Sequence, residues 1–207
     1  RYMIRRVGIF LACLLPALVA SAAGLQALID ATPAGGTLRL APGRHAGPVT
    51  ITRALTLDGG GRVSIVGSGR GTVLLVAASG VTLRGLRIAG SGESHDGVDA
   101  GILLEGDDHR VEDNVIEDVL FGIHLKQVNR SRIAGNHVIG KRLDVGMRGD
   151  AIRLWYSRHN AIENNRFERA RDLTFANSPD NRIAGNRFED GRYGMHVIFS
   201  PRLLIEN

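Results

Sequence analysis

An aliphatic residue, two variable residues and an asparagine recur along the chain. The copies are Val111-Glu-Asp-Asn114, Ile133-Ala-Gly-Asn136, Ile162-Glu-Asn-Asn165 and Ile183-Ala-Gly-Asn186, and a fifth opens at Ile205. Their starts lie 22, 29, 21 and 22 residues apart. A second phrase follows each copy: Gly122-Ile-His-Leu125, Ala151-Ile-Arg-Leu154, Asp172-Leu-Thr-Phe175 and Gly194-Met-His-Val197. From the end of that phrase to the next asparagine motif there are 8 residues in all four cases. Such a period is the mark of a repeat architecture and constrains the fold before anything else does.

Each phrase alternates apolar and polar side chains over a few residues, which is strand periodicity. No helical segment separates the strands, so βαβ units are excluded. A parallel solenoid lets each coil bury its inward side chains on the next. The expected fold is therefore all-β, a right-handed parallel β-helix of about seven coils over residues 37–207. Asn114, Asn136, Asn165 and Asn186 should stack at one corner as a structural ladder. Upstream the pattern is looser, in Thr37–Leu40, Val49–Thr52, Val63–Val66, Val73–Val76 and Val81–Ile88. Before it, Leu25, Leu28 and Ile29 share one face of a short helix suited to capping the first coil. Residue 207 falls inside a repeat, and C-terminal truncation is the expectation.

The first 22 residues read as an export signal: Arg1, Arg5 and Arg6, an apolar run from Val7 to Val19, and the small residues Ala20-Ser21-Ala22 at a cleavage site. The run is short for a membrane-spanning helix, which needs ~20 apolar residues. The expected domains are thus a signal peptide at 1–22 and one β-helix domain at 23–207, located in the periplasm. Without the three signal arginines the formal charge falls from +5 to +2, which removes any electrostatic case for nucleic acid or anionic membrane. Cys13 leaves with the signal, so neither disulfides nor thiolate metal sites are expected.

The 29-residue spacing contains an insertion. Ordinary coils take eight or nine residues from the ladder asparagine to the core residue of the next strand, but Asn136 to Ile152 takes 16, as does Leu86 to Ile102. The two insertions, roughly Gly90–Ala100 and Gly140–Gly149, should leave the solenoid at one corner, about 10 Å apart at ~4.8 Å per coil. Loops on one face of a regular scaffold are where function concentrates. Being outward, either should be removable at little cost in stability.

Three chemistries compete for this corner. Polysaccharide cleavage or epimerisation would need a carboxylate groove and a base, with His95, Asp96 and Arg153 available; no outward column of repeated Asp or Glu is apparent. Metal binding would fall to His95, Asp96 and Met147, a donor set suited to copper or zinc. His124 and His196 share a column three coils apart, too far for one ion. His45, His109, His137 and His159 have no visible partner. Protein docking would use Asp150, Arg153, Trp155, Tyr156, Arg192, Tyr193 and His196, with Phe199 nearby, on the corner facing the inserts. Trp, Tyr and Arg dominate binding hot spots. Phe167, Phe175 and Phe188 continue inward columns and belong to the core.

Asp99-Ala-Gly-Ile102, Gly149-Asp-Ala-Ile-Arg-Leu-Trp-Tyr-Ser157 and Arg192-Tyr-Gly-Met-His196 resemble the NosD family of periplasmic maturation proteins of nitrous oxide reductase. The resemblance runs from about residue 24 to 207. It departs at Val197-Ile-Phe-Ser200, where family members often carry an aromatic residue followed by Met-Tyr-Ser. The chain also stops well short of a usual member. What the resemblance implies is a role without catalysis and with no tightly bound cofactor, copper being the candidate ion. The implied partners are the reductase, a copper-chaperone lipoprotein and an ABC transporter membrane subunit, with membrane contact only through partners.

Overall fold

A computed structural model describes residues 24–207. The expected signal peptide, its cleavage near Ala22 and Cys13 lie outside the described residues. Twenty strands form two sheets, one of thirteen strands and one of seven, and every strand pairing among them is parallel. The seven strands of the second sheet are one per coil, as the repeat requires. No described helix is long and apolar enough to cross a membrane.

The inward columns hold the coils together. Ile102, Ile123, Ile152 and Leu173 are in register across the second sheet, as are Leu104, Leu125, Leu154 and Phe175. All belong to one buried cluster running the length of the stack. Burial of such side chains contributes roughly 1.5–3 kcal/mol each. Phe167 and Phe175 join this core as expected, whereas Phe188 is only partly buried against it.

The first sheet is folded along a corner into two arms, and the asparagine ladder sits on that fold. Asn136 Oδ1 accepts the backbone N–H of Asn114 at 3.0 Å, Asn165 Oδ1 accepts that of Asn136 at 2.9 Å, and Asn186 Oδ1 accepts that of Asn165 at 3.0 Å. Each Nδ2 also donates one rung along. The turn before each rung needs a left-handed residue, and Asp113, Gly135, Asn164 and Gly185 supply it, with φ from 53° to 67°. These are the residue types that tolerate this region.

The opposite corner carries further ladders that the repeat pattern did not disclose. Ser157 Oγ accepts from Val128 N–H, Ser178 Oγ from Ser157, and Ser200 Oγ from Ser178. Beside it, His109, Ser131, Asn160 and Asn181 form a mixed stack. His109 is therefore not without a partner: its Nδ1 accepts the Val81 N–H, and burial pushes its imidazole below the ordinary range. His137 likewise meets Glu168, at 2.9 Å.

The capping helix is Leu25–Ala31, with Leu25 and Ile29 buried. Gln26 imitates a missing strand at the sheet edge. Its Oε1 accepts the Thr50 N–H at 2.8 Å and its Nε2 donates to the Thr50 carbonyl at 2.9 Å.

Candidate functional site

The two outer faces are built differently. On the first sheet, acids do recur in outward columns, contrary to expectation. Glu112, Ala134, Glu163, Ala184 and Glu206 lie in register, as do Glu117, Ile139, Glu168 and Glu189. Arginines neutralise them. Arg132 bridges Glu112 and Glu163, Arg182 bridges Glu163 and Glu206, and Arg166 bridges Glu168 and Glu189. These pairs leave the columns little net charge to offer a ligand, and the unpartnered buried atom on this side among the described residues is Arg169 Nε, just past the strand Arg166–Glu168.

The second sheet does not satisfy itself. Its central outward column runs Leu103, His124, Arg153, Thr174, His196. Both ring nitrogens of His124, Nε of Arg153, Oγ1 of Thr174 and Oδ2 of Asp150 are buried without a hydrogen-bond partner. Buried polar groups are ordinarily paired, and an orphan costs about 1–3 kcal/mol. The Arg153 guanidinium lies 5.7 Å from the Phe121 ring centroid and 5.9 Å from that of Trp155. Trp155 and Tyr156 pack edge to face at 5.2 Å and both are exposed, as are Tyr193 and Phe199. Tyr156 and Phe199 occupy left-handed backbone, at φ 49° and 44°, a conformation unfavourable for bulky side chains.

The expected docking residues divide between two edges of this sheet. Asp150, Arg192 and Tyr193 sit at the insertion corner. Asp150 is buried and bonded to Arg171 at 3.3 Å, and Arg192 reaches the buried Asp172. Burial pushes the Asp150 carboxyl above its ordinary range, against the opposing charges of Arg171 and Arg153. Trp155, Tyr156 and Phe199 fall instead on the far edge, not beside the inserts. The inserts precede their strands, whereas these aromatics end the strands Ile152–Trp155 and Gly194–Ile198 or follow them, and a strand advances ~3.3 Å per residue. Arg153 and His196 lie between the two edges.

The insertions meet as their shared corner required. His95 Nε2 lies 3.0 Å from the Met147 carbonyl, and Lys141 reaches Glu93 at 3.6 Å and Asp118 at 3.4 Å. His95 also packs edge-on to Phe121. Of the expected metal donors, His95 thus engages the backbone of Met147 rather than its thioether, while Met147 and Asp96 are exposed. A cleft of about 430 Å³ opens beside the loops, lined by Glu93, Lys141, Arg142, Leu143 and Arg169 among others. Nor are the loops free appendages. Leu143 and Val98 pack on a second apolar cluster of Ala100, Leu120 and Phe121, and Arg148 donates to the Asp190 carbonyl. Shortening them would cost stability, so point substitutions on the exposed rings are the cleaner probes.

Sequence reasoning missed Phe121, Thr174 and the burial of His124. Phe121 breaks no pattern, and an outward strand histidine is ordinarily wet. Here desolvation first, then the Arg153 and Lys126 charges, hold the His124 imidazole down to about 4, from 6.5. The unfolded chain therefore binds a proton that the folded one refuses as pH falls from 6.5 to about 4. Stability should drop over that window by roughly 3 kcal/mol from this residue. His124→Gln is expected to flatten the pH dependence of urea unfolding between those limits. An unchanged slope would show that the ring is protonated in the fold.

A family model described as "Right handed beta helix region" matches residues 64–207. The chain is 30% identical over 140 residues to the "Probable ABC transporter binding protein NosD" of Pseudomonas aeruginosa PAO1, an alignment covering 66% of this chain and 33% of NosD. It spans about a third of that relative's length. Among solved structures, an alginate lyase from Paenibacillus sp. FPU-7 matches at 14% identity, 88% of this chain, 95% of the other and TM-score 0.47. A PL6 alginate lyase in complex with a trisaccharide matches at 14% identity, 79% of this chain, 50% of the other and TM-score 0.43. Likenesses at those scores carry no argument about chemistry. The matched coils, the parallel sheets and the shared sequence agree: the chain belongs to the right-handed β-helix family and is a NosD-like member of it.

Proposed function

We propose that this protein is a periplasmic accessory factor for assembly of the copper centre of nitrous oxide reductase. It would act without catalysis, as a docking scaffold associated with an ABC transporter. The observation that carries the docking part is the contrast between the two faces. The first sheet pairs its own charges across coils, while the second leaves polar atoms unpartnered beside exposed Trp155 and Tyr156. The exposed Trp155 and Tyr156 rings give this surface apolar area that a partner can cover. The transporter part is supported by the similarity to NosD, an ABC transporter binding protein by its description; the reductase part follows from the family resemblance carried by Gly149–Ser157 and Arg192–His196. Deleting the gene in a denitrifying host should leave the reductase without its copper–sulfur centre, with recovery on complementation. A reductase of normal copper content in the deletion strain would defeat the proposal.

The second reading is a polysaccharide lyase or epimerase, favoured by the arginine and aromatic rings on one open face. Against it, the acid columns lie on the other face and are paired with arginine. Incubation of the purified protein with alginate or pectate should give no new ultraviolet absorbance from unsaturated uronates. A rise would install the enzyme reading.

A further inference from the structure

We infer that the Arg153 column of the second sheet is a receiving site for a carboxylate side chain of an acidic peptide segment on a docking partner. The inference rests on the docking reading and names the chemistry the partner must bring.

Arg153 stands apart from its neighbours. Arg171 pairs with Asp150 and Arg192 with Asp172, whereas Arg153 makes no ion pair with any described residue. Its Nε is buried and unpartnered. Directly beside it in register lie His124 and Thr174, each only 7% exposed and each with polar atoms lacking any bond. Three adjacent coils therefore align polar side chains with unmade hydrogen bonds along about 10 Å, at ~4.8 Å per coil, and within that column Arg153 is the fixed cation without an ion pair. A carboxylate has the lone pairs to take two guanidinium N–H groups at once, and guanidinium–carboxylate pairing is the strongest of the side-chain hydrogen bonds available. The Phe121 and Trp155 rings flank the guanidinium, which lowers the local dielectric and strengthens the pair.

A free anion would use the column alone. A peptide also gains from the exposed Trp155–Tyr156 pair at the strand end, where an aliphatic or aromatic neighbour of the acid can pack. That continuity of cation and rings favours a peptide segment over an isolated ion.

The chain has a single tryptophan, and it is Trp155, so its fluorescence reports on this site alone. The probe is a set of short blocked peptides carrying Glu beside Leu or Phe, each with a Gln counterpart, alongside oligogalacturonate. Saturable change is expected with Glu peptides, weakened by about tenfold or more with the Gln counterparts and in Arg153→Gln. Arg153→Lys should recover part of the loss, since it restores charge without the fork. Equal binding of Glu and Gln peptides, or no saturation with any of them, overturns the inference whatever the fold of the variants. Tighter saturation by oligogalacturonate reassigns the carboxylate to a sugar acid and overturns it as well. If Trp155→Ala impairs reductase maturation while Arg153→Gln does not, this inference falls and the docking reading stands. If neither does, both fall.

Discussion

Asn136→Ala is expected to lower the unfolding free energy by about 4 kcal/mol. Asn136 is buried, and its Oδ1 takes both the backbone N–H and the Nδ2 of Asn114 at 3.0 Å. Its Nδ2 donates to the Val111 carbonyl at 2.7 Å and to Asn165 Oδ1 at 3.0 Å. Alanine strands the Asn114 N–H and the Val111 carbonyl inside the corner, where each orphan costs about 1–3 kcal/mol. It also leaves a void the size of an amide, too confined by neighbouring rungs to hydrate freely. Leu86 shows what the corner tolerates: at the start of the ladder it only donates its N–H, to Asn114 Oδ1 at 3.0 Å, and nothing depends on its side chain as an acceptor. Because a coil is stabilised by its neighbours, hydrogen exchange should quicken around 111–136 before the N-terminal coils. Urea unfolding monitored by circular dichroism measures the loss; a value under about 1 kcal/mol would mean the ladder is ornament rather than structure.

Replacing Trp155 by alanine together with Tyr156 by asparagine should weaken partner binding by about 2 kcal/mol, roughly 30-fold, with almost no loss of stability. Both rings are substantially exposed, at 39% and 54%, so little buried area is lost within the chain. Tyr156 sits at φ 49°, where asparagine is more at ease than an aromatic residue. The change at that position should even recover a few tenths of a kcal/mol. Affinity and stability are thus expected to move independently, which a packing role for these rings does not allow.

What could be read in the sequence was whatever repeats by identity. The asparagine ladder and the fixed gap were legible because the same amide recurs at every rung beside an aliphatic residue, and because coil closure fixes the spacing that follows it. The mixed stack of the second corner was not, since His109, Ser131, Asn160 and Asn181 meet one need with different side chains; the serine rungs beside it, Ser157, Ser178 and Ser200, do repeat but carry no flanking motif that marks them out. The acid columns were hidden because Glu112, Glu163 and Glu206 alternate with Ala134 and Ala184, giving a period of two coils. Spacing located Trp155 in its coil but did not say which edge of the sheet it ends on. The meeting of the insertions was legible from their common corner; their packing on Phe121 was not, because that cluster lies outside the repeat. The burial of His124 depends on what neighbouring coils lay over it, which no single repeat encodes.

The proposed docking surface is the outer face of the second sheet. Its most direct test is the affinity of the purified protein for the copper-chaperone lipoprotein and for the transporter's membrane subunit. The measurement compares the native protein, the Trp155→Ala/Tyr156→Asn variant and a control altered on the other face, Arg132→Gln. At least one of the two partners should bind the native protein and the control alike, and bind the double variant about 30-fold more weakly at an unchanged unfolding midpoint. Equal binding by all three, or loss confined to Arg132→Gln, would mean that partners do not dock on the second sheet.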